Sequence, residues 1–218
     1  MLSLLADILP LMLAAASNPA VISIVVLLLT ASDRPLPRAI AFVAGFALVL
    51  VALGVVGLLL FRSSRETFGT GGALFAWLDI VLGVVMLAGA AVTYLRRNAA
   101  TGGADRLLGR MRPAAFVGVG AAFMVTNTSA IIAYLPLLRE IAIAPVSHAE
   151  RAVALALSDL VIVAPIAGPV LIRLAAPRSS ERALGAIRRF LDRFGYLIAI
   201  AVFGAIGGFL LIRGLVRL

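Results

Sequence analysis

Six apolar runs, residues 4–30, 38–61, 73–95, 114–138, 149–173 and 191–213, decide what this chain can fold into. Each is long enough for a helix to cross a bilayer core, which takes about 20 residues. Inside lipid every backbone N–H and C=O must be satisfied within the protein, so such runs fold as helices. The composition agrees. Hydrophobic residues make up 63% and charged residues 13%, against roughly 45–50% and about 25% in soluble domains. The reading is one all-α integral membrane domain of 218 residues with six transmembrane helices. The first run is taken as a span and not a cleavable signal, because it lacks a basic leader, is too long, and precedes more spans.

The polar separators are Asp33 to Pro37, Arg62 to Gly72, Asn98 to Arg112, Ala144-Pro145 and Pro177 to Glu181. All 19 basic residues are arginine. Six (62, 65, 139, 151, 213 and 217) fall on the side of the termini, and thirteen on the other. Cytoplasmic loops carry the excess of positive charge. The expectation is therefore a multi-pass plasma-membrane protein with both termini outside and the 97–112 and 174–190 loops inside. The net charge of +9 is then juxtamembrane charge attracted to anionic lipid, and nucleic acid is not expected as a partner. Cysteine is absent, which excludes disulfides, thiol relays and cysteine–zinc sites.

Two polar interruptions stand in the middle of apolar runs. In Ala14-Ala15-Ala16-Ser17-Asn18-Pro19 the proline removes a helical hydrogen bond and its ring opens the turn. The second is Thr126-Asn127-Thr128-Ser129, with Asn127 placed 109 residues after Asn18. Other matches keep the same order. Arg62-Ser63-Ser64 parallels Arg178-Ser179-Ser180, and Leu78-Asp79 parallels Leu191-Asp192. Three spans per half is odd, so two equivalent halves must lie in opposite orientations. The pattern is an inverted repeat, residues 1–97 and 113–218, joined by a cytoplasmic linker, 98–112. Paired breaks in such halves point to a transport site.

Asp159 lies near the centre of the fifth run. A carboxylate there costs about 2.5–3.5 kcal/mol on insertion scales, so a functional change of protonation is one reading. The other is a neutral carboxyl bonded to a neighbouring helix, for instance at Thr126 to Ser129. Pro165, Gly168 and Pro169 disrupt the same run and suggest a discontinuous helix or hinge. Asp79 and Asp192 sit nearer the ends of their runs and read equally as interfacial charges. Gly204, Gly207 and Gly208 fit small-residue helix packing. His148 stands alone in a loop beside Glu150, which is no basis for a metal site, and no cofactor is expected. P-loop, HExxH and GxSxG patterns are absent, which argues against an ATP-driven pump in one chain and against a hydrolase.

The two three-helix halves, the Asn18-Pro19 break and the Asn127 break resemble the LysE superfamily of small membrane exporters. The arginine-rich linker and the acidic, proline-bearing fifth run (Asp159, Pro165, Pro169) are similar to its GAP/Sap group, the actinobacterial glycolipid- or sulfolipid-addressing proteins. The resemblance implies a LysE-like fold and a role in moving complex lipids to the cell surface. It places the central site at Ser17, Asn18, Pro19 and Asn127; the polar second break adds Thr126 and Thr128 beside them, and in the lipid-transporter reading Asp159 couples movement to protons. Thr128 departs from the proline that would make the breaks symmetric. The expected partners are membrane lipids, a transported lipid or small solute, and a homodimer. The competing functions are export of amino acids or other small polar solutes, and a non-transporting accessory subunit.

Overall fold

Among the described residues the chain folds into helices along its apolar runs. The structure is a computed structural model that describes residues 2–30, 34–68, 111–176 and 180–217, with scattered positions between 77 and 95. Most of the third run, Asp79 and nearly all of the 98–112 linker lie outside the described residues, as does the side chain of Asp192. Among the described residues there is no strand. The helices are α1 (Leu2–Ala16), α2 (Pro19–Thr30), α3 (Pro35–Phe68), α4 (Ala115–Thr126), α5 (Thr128–Ile143), α6 (His148–Ala175) and α7 (Ser180–Arg217).

The first run is the bent pair α1 and α2, which turns through 49° at Ser17 and Asn18. The fourth run is likewise two helices, α4 and α5, split at Asn127. Pro35–Phe61, His148–Ala175 and Arg193–Val216 are each long and apolar enough to cross a bilayer. The bent pair makes a fourth candidate span. The protein is therefore a helical, membrane-embedded one. Its outer surface fits that setting, with Leu48, Leu59, Leu60, Leu160, Leu171 and Phe209 all more than half exposed.

Three boundaries differ from the sequence reading. Helix α3 continues to Phe68, so the polar stretch from Arg62 begins inside a helix. Helix α7 begins at Ser180, so most of the expected 174–190 loop is helical. A fall in hydropathy marks where a helix leaves lipid, not where its hydrogen bonding stops, and Arg, Glu and Ala favour helix as strongly as Leu. The interruption expected at Pro165, Gly168 and Pro169 is absent, for α6 runs unbroken through both prolines. Residues four apart share a face. The two lost N–H donors therefore weaken one side of α6 while the other rungs hold it.

Local chemistry fixes the joints. Ser147 and Glu150 form a reciprocal capping box at the start of α6, with Ser147 Oγ taking the Glu150 N–H at 3.2 Å. The Arg151 guanidinium donates to the carbonyls of Ile141 and Ala144, both at 3.0 Å, and so closes the C-terminal end of α5. Arg173 donates to Ser180 Oγ at 2.8 Å and ties α6 to α7.

Helix α3 runs along α4 and also meets α5 and α6, while α1 packs on α5 and α6 and α2 on α3, α6 and α7. Phe42, Phe46 and Leu50 of α3 are buried with Phe116, Met124, Leu137 and Ile141. The α3–α4 seam is a backbone contact. A Cβ at Gly45 would sit 2.0 Å from the Val117 carbonyl oxygen, and one at Gly120 would sit 2.0 Å from that of Phe42. The expected small-residue packing holds at Gly207, where a Cβ would come within 3.0 Å of the Gly83 carbonyl oxygen. Among the described residues nothing lies within 4 Å of a Cβ at Gly204 or Gly208.

Candidate functional site

Each break is held by two side chains of its own. At the first, Ser17 Oγ donates to the Leu13 carbonyl at 2.7 Å, satisfying the end of α1. Asn18 Oδ1 accepts the Val21 N–H at 3.4 Å, capping the start of α2. Pro19 is then the first residue of α2, where proline is preferred because no helical N–H is needed. At the second break Thr126 Oγ1 donates to the Ala122 carbonyl at 2.8 Å. Asn127 Oδ1 accepts the Ala130 N–H at 3.2 Å. The hydroxyl closes the helix behind and the amide opens the helix ahead, with the same residue spacings in both places. The frame of the first break is also packed from outside, since a Cβ at Gly195 of α7 would lie 3.3 Å from Pro19 Cβ.

A buried polar pair lies between three helices. Asp159 of α6 is 7% exposed and Tyr134 of α5 is 2% exposed. The Tyr134 hydroxyl donates to Asp159 Oδ1. Gly54 of α3 makes the room: a Cβ there would stand 2.6 Å from Tyr134 Oη and 2.9 Å from Leu155 Cδ1. The neighbouring Ser158 is fully buried but turns its hydroxyl back to the Ala154 carbonyl at 2.7 Å. Chemically, the pair can hold a proton in two ways. Tyrosine donates to the carboxylate, and a protonated carboxyl can donate back to the phenolic oxygen.

A family described as Sap, sulfolipid-1-addressing protein, matches residues 8–216. The chain belongs to that family. No curated protein and no solved structure matches it. The Sap match takes in both breaks and the Tyr134–Asp159 pair.

In this Sap-family chain the structure sorts the residues singled out in the sequence into local and long-range ones. Ser17, Asn18, Thr126 and Asn127 make their bonds within one turn of themselves. Asp159 makes its bond across helices, to Tyr134 and not to the Thr126–Ser129 stretch that its own position left open. Thr128 starts α5. Sequence reasoning missed Tyr134 and Gly54. Tyrosine normally sits at the membrane boundary, so one at position 134, two helical turns after Asn127 on the same face, was the available signal. Gly54 carried none, because a glycine required by a neighbour on another helix looks like any other glycine in a span.

Proposed function

We propose that this protein moves or hands over a lipid with an anionic headgroup across or out of the bacterial plasma membrane, with Asp159 changing protonation in the cycle. The observation that carries this reading is Asp159 itself. It sits in the middle of an unbroken apolar helix, closed off by protein, with a hydroxyl as its partner. An acid at such depth is kept for use by default. Membership of a family described as sulfolipid-addressing supports a lipid as the cargo. The LysE-like arrangement of two inverted halves belongs to the same proposal and is supported by the matched bonds at the two breaks. So does the topology with termini outside, which rests on the arginine distribution.

Asp159→Asn tests it. Asparagine keeps the size and an acceptor for Tyr134 while holding the site neutral. In vesicles containing a fluorescent sulfated glycolipid, the parent should move the lipid faster when a pH gradient is imposed. The variant should insert normally and lose that response. If it moves the lipid like the parent and keeps the response, the carboxyl is structural. Movement of amino acids instead of the glycolipid would point to a solute exporter. Movement of neither would point to an accessory subunit.

A further inference from the structure

Helix α7 is longer than the bilayer requires. The part long and apolar enough to cross begins at Arg193, yet the helix begins at Ser180. The extension has sides of distinct chemistry. Leu184 and Gly195 are buried against the bundle. Arg182, Arg189 and Arg193 are exposed and, at spacings of seven and four, share one stripe. Beside that stripe stand Phe190 and Phe194, exposed by 53% and 37%, with ring centroids 5.3 Å apart. The Arg193 guanidinium lies over the Phe194 ring at 5.3 Å from its centroid. Glu181 and Arg188, both exposed, fall by register roughly 80–140° round the helix from the arginine stripe.

We propose that the Arg189–Arg193 turn of α7, with Phe190 and Phe194, is a docking surface for an anionic lipid headgroup, a phosphate or sulfate ester, at the membrane boundary. The two arginines are one turn apart, close enough to converge on one headgroup. A guanidinium resting on a ring keeps its edge donors free for a bidentate bond to a phosphate or sulfate. Exposed phenylalanine rings at the first turn of a span insert on the acyl side of the headgroup boundary and so set the depth of the neighbouring arginines. Arginine near this surface favours anionic over zwitterionic lipid. Charge and depth together select a lipid over a free anion. Arg182 lies about 16 Å beyond Arg193 along the axis and contributes only a screened field. The inference deepens the lipid-handling reading by naming where a headgroup is held.

The chain has a single tryptophan, Trp77. Trp77→Phe with Phe194→Trp therefore puts one fluorophore on the strip while keeping a ring under Arg193. The protein is reconstituted in bilayers carrying brominated phosphatidylglycerol or brominated phosphatidylcholine at equal mole fraction, at low salt. The anionic lipid should quench more strongly, with an apparent preference of about fivefold for each arginine of the turn. Arg189→Gln with Arg193→Gln should bring the preference to unity, and Arg182→Gln should leave most of it. Equal quenching with the arginines intact would overturn the proposal, as would a preference that survives the double substitution. An equal loss from Arg182→Gln would remove the assignment to this turn. Abolition by millimolar inorganic phosphate at constant ionic strength would make it a free-anion site and not a lipid one. The measurement is of equilibrium contact. Asp159→Asn should leave it intact, so its outcome is independent of whether the protein transports.

Discussion

The first break and the second carry the same pair of bonds, yet the helices around them bury different things. Ser17 and Asn18 do for α1 and α2 what Thr126 and Asn127 do for α4 and α5. Shifted by the same 109 residues, Tyr134 and Asp159 correspond to Val25 and Leu50. Those two are fully apolar and buried, at 0% and 1% exposure. The breaks occur twice, which fits the proposed scaffold of two equivalent halves. Among the described residues the Tyr–Asp pair occurs once. If the two halves are equivalent as proposed, a buried carboxyl that one of them does without is not required by the scaffold, which supports the proposed role of Asp159.

The seam between the halves offers the largest test, because it sets the frame in which they are compared. Gly45 from the first half and Gly120 from the second each leave room for the other's backbone. Backbone atoms cannot step aside as a side-chain tip can. Gly120→Ala should cost on the order of 3 kcal/mol, the upper end of overpacking, and show as a lowered Tm or lost folded protein in detergent. Gly168→Ala on α6, where a Cβ meets open space, should change Tm little. Equal behaviour of the two would mean that the seam is not the close contact described.

The polar pair comes next. Tyr134→Phe leaves Asp159 without its hydroxyl donor and should cost about 1–3 kcal/mol, the penalty of an unsatisfied buried polar group. Combining it with Asp159→Leu, which makes the second half apolar like Val25 and Leu50, should return stability to the parent's level or above while lipid movement is lost. Thermal unfolding beside the vesicle assay separates the two effects. A double variant no more stable than Tyr134→Phe would show that the pair is structural, and the contrast between the halves would lose its meaning.

The smallest effects probe the breaks themselves. Asn18→Ala and Asn127→Ala each remove one N-cap and should each lower stability by about 1 kcal/mol. Thr128→Pro copies the first break onto the second. Position 128 opens α5, where its N–H has no helical partner, so the change should be neutral or stabilise by about 0.5 kcal/mol. Unequal asparagine effects, or a strongly destabilising proline, would show that the breaks are alike in sequence only.

Much of this was legible because it is local. Long apolar runs form helix whatever surrounds them, and a Ser-Asn-Pro or Thr-Asn stretch stops one helix and caps the next within a single turn. The unbroken course of α6 was less legible. Whether a proline interrupts or is merely carried depends on the neighbours that hold the helix, not on the proline. Helix ends were misread for a related reason, since charge moves α3 and α7 out of lipid without unwinding them. What only the tertiary structure decided is partnership between helices. Tyr134 meets Asp159, Gly54 admits the hydroxyl, and Gly45 and Gly120 let two backbones touch. The spacing of residues along a helix says which of them share a face. The rotation of that helix against its neighbours, which decides what the face meets, is set by the packing of the whole bundle.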